Sequence, residues 1–124
     1  MEPHAKTVRR YWDAAEARDW LLFGSVLADD VVYELHQTRE RIRGREAYLQ
    51  FNTEYPGDWH VTIERIVADA AGASCWAMFA VGEESMAGIS FFTFDSAGAI
   101  ATIQDFWPES YDPPPGREHL TERF

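Results

Sequence analysis

Two periods divide the chain. Val8, Tyr11, Trp12 and Ala15 recur at i, i+3, i+4 and i+7, the apolar stripe of an amphipathic helix. Asp19 is placed to cap a second, shorter helix whose Phe23, Val26 and Leu27 share a face, and Asp29-Asp30 closes it. Residues 31–35 are β-branched and aromatic and read as a strand, followed by a polar, arginine-rich loop. Helical spacing returns over residues 45–55 through Ala47, Tyr48, Phe51 and Tyr55, and Pro56-Gly57 stops it. Beyond that point the period is two. Residues 59–69, 74–81, 86–94 and 100–107 form four strand-like runs, separated by turn signals at Ala71-Gly72, Gly82-Glu83-Glu84-Ser85 and Asp95-Ser96-Ala97-Gly98.

Helices with one strand among them, then a long meander, give an α+β pattern in which helices cover one face of a curved antiparallel sheet. The other face of such a sheet needs a cover of its own, and a homodimer is the expected one. Pro108, Pro113, Pro114 and Pro115 cannot continue a central strand, so residues 110–124 are expected to form an arm on a single domain spanning 1–124.

Composition sharpens this. The chain has 124 residues, 46% of them hydrophobic and 15% aromatic, enough to bury a core that lines a pocket. Eleven basic against twenty-one acidic residues leave a net charge of -10, which argues against a nucleic acid partner. No apolar run approaches the length of about 20 residues needed to span a membrane. The N-terminal Met-Glu-Pro-His-Ala-Lys lacks a signal-peptide pattern, so the expected compartment is the cytoplasm. Cys75 is the only cysteine and sits in an apolar run, the setting of a buried thiol rather than a nucleophile. His4, His36, His60 and His119 show no metal-binding spacing, and no glycine-rich phosphate loop is present; neither metal nor cofactor is expected.

Several stretches carry a resemblance. Val8-Arg9-Arg10-Tyr11-Trp12, the run from Leu27 to Glu34, Arg43-Gly44-Arg45-Glu46-Ala47, Phe92-Thr93-Phe94-Asp95 and Gln104-Asp105-Phe106-Trp107 occur in an order and spacing that resembles the nuclear transport factor 2-like superfamily, in its SnoaL-like, polyketide cyclase-like branch. The resemblance implies a cone-shaped fold with a hydrophobic pocket between bent sheet and helices, and dimers in many members. Members include isomerases, cyclases, dehydratases, epoxide hydrolases and non-catalytic binding modules, so it leaves the function open. Against the ketosteroid isomerases, Tyr11 stands at the oxyanion tyrosine, but the base position reads Leu35 and the second oxyanion donor reads Ser90. Against the limonene epoxide hydrolases, Tyr33 and Asp105 match in place. The asparagine position is again Leu35, and no Arg-Asp pair occurs in residues 75–81. The paired histidines of scytalone dehydratases are missing.

Asp105 is then the residue that most concerns chemistry. In Ile103, Asp105, Trp107 it shares a face with two large apolar residues, and a carboxylate entering an apolar cavity is suited to general acid or base work. The alternative is a satisfied core acid paired with an arginine or a helix cap. Tyr11 and Tyr33 are candidate orienting donors, or aromatic core. Leu35, Phe51, Asn52, Ser90, Phe92 and Trp107 are candidate substrate-binding residues. Trp12, Trp20, Trp59, Trp76 and Phe79 are expected to supply further apolar walls. Glu34-x-His36 lies on the opposite strand face and is expected outside the pocket or at an interface. Two functions stay open: a cofactor-independent isomerase, cyclase, dehydratase or hydrolase acting on a small, largely apolar molecule, or a non-catalytic ligand-binding or dimerisation module.

Overall fold

The computed structural model describes residues 2–124, and its elements run in the order α1 (Pro3–Ala17), α2 (Trp20–Ser25), β1 (Leu27–Leu35), β2 (Glu40–Arg43), α3 (Arg45–Thr53), β3 (Trp59–Asp69), β4 (Gly72–Val81), β5 (Glu84–Phe94) and β6 (Ile100–Phe106). Pro3 at the first turn and the Glu2 carboxylate, which accepts from the His4 and Ala5 amides, start α1. Arg18 ends it in a left-handed conformation, φ 59°. The stripe read from the sequence is the buried one: Val8, Tyr11, Trp12 and Ala15, with Ala14 beside them. Asp19 caps α2 by accepting from the Leu22 amide.

The six strands form one curved, unclosed sheet in the order β2-β1-β6-β5-β4-β3. The four period-two runs are the meander β3 to β6, antiparallel throughout. Gly82, φ 60°, makes the tight link between β4 and β5 that a side chain would strain. Register shifts at Ile63/Arg65, Thr93/Phe94 and Leu27/Val32 add local bends. β1 lies between β2 and β6 and runs parallel to β6, with Tyr33 opposite Ile103 and Leu35 opposite Asp105. α1 packs across β3 and β4, and α3 across β1. Between helices and sheet sits a core that includes Val8, Tyr11, Phe23, Val31, Tyr48, Phe92, Ile100 and Ile103.

Several boundaries differ from the sequence reading, and β4 and β5 begin at Gly72 and Glu84, two residues earlier than expected and inside stretches read as turns. Leu27 begins β1 rather than ending a helix, and Asp29-Asp30 lies inside that strand, where the register shifts. The arginine-rich loop is in part the edge strand β2, held by antiparallel pairing of Arg41 and Arg43 with β1. α3 stops at Thr53, before Tyr55. Trp76 is also corrected. It is 46% exposed on the outer face of the sheet, while Cys75 and Ala77 on either side of it are buried.

Candidate functional site

The helices and the concave sheet face leave a cavity of about 290 Å3 between them. Its floor holds buried Tyr11, Phe23, Tyr48 and Asp105, and exposed Gln37, Thr38, Tyr55, Met86 and Glu109 stand at its mouth. Ten of the eighteen wall residues are aromatic. No helix among the described residues is long and apolar enough to cross a membrane.

Asp105 is 4% exposed, at the end of β6. Its Oδ2 accepts from the Tyr33 hydroxyl at 2.7 Å and from Trp107 Nε1 at 3.3 Å, and its Oδ1 accepts from the Ser90 hydroxyl at 2.5 Å. Strand pairing explains the cluster. Leu35 and Ser90 are the register partners of Asp105 on β1 and β5, and Tyr33 lies two residues before Leu35 on the same face. Among the described residues no arginine, lysine or histidine forms an ion pair with this carboxylate. Burial raises its pKa above the ordinary carboxylate value, while the three donors act in the opposite sense.

A second polar group lies nearby. The hydroxyls of Tyr11 on α1 and Tyr48 on α3 hydrogen-bond each other on the floor of the cavity. Burial pushes both phenols, and Tyr33, to higher pKa, so all three stay protonated donors. Asn52, one turn after Tyr48, donates its Nδ2 to the Tyr48 carbonyl at 2.8 Å and lines the cavity beside it.

Towards the mouth the aromatic rings follow one another. Tyr33 and Phe51 are 5.7 Å apart, Phe51 and Tyr55 5.8 Å, Tyr55 and Phe79 5.8 Å, and Phe79 and Trp107 5.5 Å. Trp107 is fixed twice. Its amide donates to Gln37 Oε1 at 2.6 Å, and its indole lies directly over Gly88 on β5. A Cβ built on Gly88 would stand 2.3 Å from the indole Cε3, so glycine here is what lets the ring lie flat and reach Asp105.

The structure thus brings together Asp105, Tyr11, Tyr33, Leu35, Phe51, Asn52 and Trp107 on one cavity wall. It does not place Ser90 or Phe92 there. Both point inward, but Ser90 sits behind Asp105 as its hydrogen-bond partner, and Phe92 lies behind Tyr11, edge to face at 5.5 Å. Glu34 and His36 are outside: Glu34 pairs with Arg41 at 2.6 Å, and His36 stacks on Phe106 at 4.2 Å. Cys75 is buried, with its thiol pushed up to about 12. No group of three or more His, Cys, Asp or Glu among the described residues is arranged to hold a metal ion. Tyr48 was not singled out from the sequence, although its place on the face of α3 shared with Phe51 and Asn52 was a signal for it. Gln37, Met86 and Glu109 had no such signal.

The profile of the SnoaL-like domain matches residues 8–103. A crystal structure of a candidate ketosteroid isomerase from Kribbella flavida is 46% identical, with a TM-score of 0.95 over 98% of this chain and 90% of that one. At lower identity the likeness is one of fold. A nuclear transport factor 2-like protein of unknown function from Burkholderia xenovorans, 17% identical, gives a TM-score of 0.84 over 98% of this chain and 95% of that one. An LEH-like epoxide hydrolase of M. tuberculosis, 23% identical, gives 0.73 over 86% and 83%. No curated protein matches the chain. With the profile covering most of the sequence and the sheet, helices and cavity arranged as described, the chain belongs to the SnoaL-like family and has the nuclear transport factor 2-like fold.

Proposed function

We propose that the cavity binds a small, largely apolar molecule and that Asp105 exchanges a proton with it, Tyr33 and the Tyr11–Tyr48 pair orienting its polar atoms. The observation that carries this reading is a carboxyl group on the floor of an aromatic cavity whose side-chain partners are donors and not cations. Counting hydrogens gives the chemistry. The ionised carboxylate consumes the hydrogens of Tyr33, Ser90 and Trp107, and adding its own proton leaves that group with one hydrogen to offer. The two phenols share one mutual bond and hold one further hydrogen. The neutral site therefore presents two donors to a ligand oxygen or nitrogen, which suits general acid catalysis in an isomerisation, cyclisation, dehydration or hydrolysis.

A second reading has its own observation. Leu35 occupies the wall beside Asp105, and the deep wall holds no second carboxylate to act as base, so a non-catalytic ligand-binding module is the competing proposal. Turnover decides between them. Ketosteroids and epoxides, the compound classes named for the Kribbella and M. tuberculosis proteins, are the first to assay. On any compound converted, Asp105→Asn should lower kcat by about 10²- to 10⁴-fold, the range for loss of a positioned acid. Unchanged turnover removes Asp105 from the chemistry, and binding without conversion favours the module.

The outer sheet face, where Trp76, Ile89 and Phe91 are each exposed by 44% or more, is the proposed homodimer surface. Light scattering on the purified protein tests it, and a monomer at about 100 μM, where even an affinity near -5.5 kcal/mol would show, sinks it.

A further inference from the structure

The cavity wall contains a closed circuit. Tyr33, Phe51, Tyr55, Phe79 and Trp107 succeed one another at 5.5 to 5.8 Å, and Asp105 joins the two ends by accepting from both Tyr33 and Trp107. We propose that this belt binds a positively charged amine group carried on the apolar ligand, with the Asp105 carboxylate as its counter-charge. The inference rests on the reading of the cavity as a ligand site and names the class of ligand.

Three features point to positive charge. The last three junctions of the circuit are edge to face, at 76°, 78° and 68°, so successive rings turn relative to one another along the cavity wall, while Tyr33 also stacks on Tyr48 and Phe79 on Trp59. The face of each ring carries the negative part of its quadrupole, and several faces around one space hold an ammonium group that water would otherwise solvate. The carboxyl groups on the wall are Asp105 on the floor and Glu109 at the mouth, while no lysine, arginine or histidine lines it. A ligand carboxylate would find no cationic partner on this wall and would meet the Glu109 carboxylate at its mouth. The net charge of -10 further enriches cations near the mouth. An uncharged ligand would accept a hydrogen bond from the protonated Asp105 and would draw no added attraction from the ring faces.

The proton balance is simple. An ammonium ion that enters displaces the Asp105 proton to solvent, and a neutral amine that enters takes that proton. Either route ends in the same ammonium–carboxylate pair. Tyr33 and Trp107 keep their hydrogen bonds to Oδ2 and hold the carboxylate between the two ends of the belt.

The test uses one apolar body with three heads: 2-phenylethylamine, 2-phenylethanol and phenylacetate, followed by tryptophan fluorescence, since Trp59 and Trp107 are in the wall. The amine is expected to bind about tenfold more tightly than the alcohol, and phenylacetate more weakly than either. Asp105→Asn should cancel the preference for the amine over the alcohol. If that variant does not fold, Phe79→Leu, which replaces a ring by an aliphatic group, should narrow the gap by about threefold. Equal affinities for amine and alcohol overturn the inference and leave the cavity reading standing, as does an amine preference that survives in Asp105→Asn or, where Phe79→Leu stands in, one that keeps its full size in that variant. Failure of all three compounds to bind removes the cavity reading itself, and the inference with it.

Discussion

Phe91 and Phe92 are neighbours on β5, yet one is 49% exposed and the other 2%. They mark two faces of one sheet built from the same alternation. On the inner face Gly88 lies under the Trp107 indole, Phe92 behind Tyr11 of α1, Ile103 is fully buried, and Ser90 hydrogen-bonds Asp105. On the outer face Trp76, Ile89, Phe91 and Phe106 meet no helix, and their neighbours include His36, Gln104 and Arg65. Alternation alone makes both faces apolar. What separates them is the cover, and only the covered face can hold a carboxyl group away from water.

Several substitutions break or sharpen that contrast. The largest effect is expected from Phe92→Ala, at about 3–5 kcal/mol of unfolding free energy, against about 1 kcal/mol for Phe91→Ala, whose ring leaves only an edge contact with Phe106. Urea unfolding of dilute protein measures both, and equal losses would abolish the distinction between the faces. Gly88→Ala comes next. The new methyl group meets the indole of Trp107, for about 1–3 kcal/mol and a shifted tryptophan emission, whereas Ala87→Ser, one residue away on the outer face, should be silent in both readouts.

The third contrast is in pH. The folded state holds the Asp105 pKa above its unfolded value, so the folded state binds that proton more tightly. Its contribution to stability is complete below the ordinary carboxylate range and is lost as pH rises through the raised value. Asp105→Asn should flatten this part of the melting-temperature profile. Tyr33→Phe, which deletes a donor to the carboxylate, should extend the loss to higher pH and cost about 1–2 kcal/mol. The smallest effect belongs to the exposed Glu16–His60 pair, 2.8 Å apart where α1 meets β3. Hydrogen bonding to Glu16 raises His60, and the same pair lowers Glu16 despite some burial. Both are charged only between those two values, so His60→Ala should lower the melting temperature slightly within that window and nowhere else.

Much of this fold was legible because its core-facing residues alternate cleanly or recur at helical spacing. β2 was not, since Glu40, Arg41 and Arg43 leave Ile42 as its one apolar position and pairing with β1, not burial, makes it a strand. Trp76 was misplaced because Cys75 to Phe79 is apolar at every position, which erases the contrast that period two depends on. At the site, parity grouped Asp105 with Ile103 and Trp107 and set Glu34 and His36 opposite Tyr33 and Leu35, while Tyr33, Leu35 and Ser90 were named from the family resemblance. Depth is another matter: alternation tells in from out, but whether an inward residue touches the cavity or lies behind it depends on what the helices place in front. Tyr11 stands before Phe92, and Asp105 before Ser90.

The parallel joint between β1 and β6 has a consequence in time. Hairpins β3–β4, β4–β5 and β5–β6 close over short turns, but Tyr33 and Asp105 are 72 residues apart in the chain. Closing so long a loop costs more entropy than closing a hairpin, and such contacts slow folding. During synthesis the first half of the site must wait for nearly the whole chain to follow. A nascent chain halted before β6 has its helices and its first hairpins, and has no Asp105 for Tyr33 to meet. Assembly of the carboxyl cluster therefore reports completion of the domain, and a probe at Tyr33 would register the final step of folding.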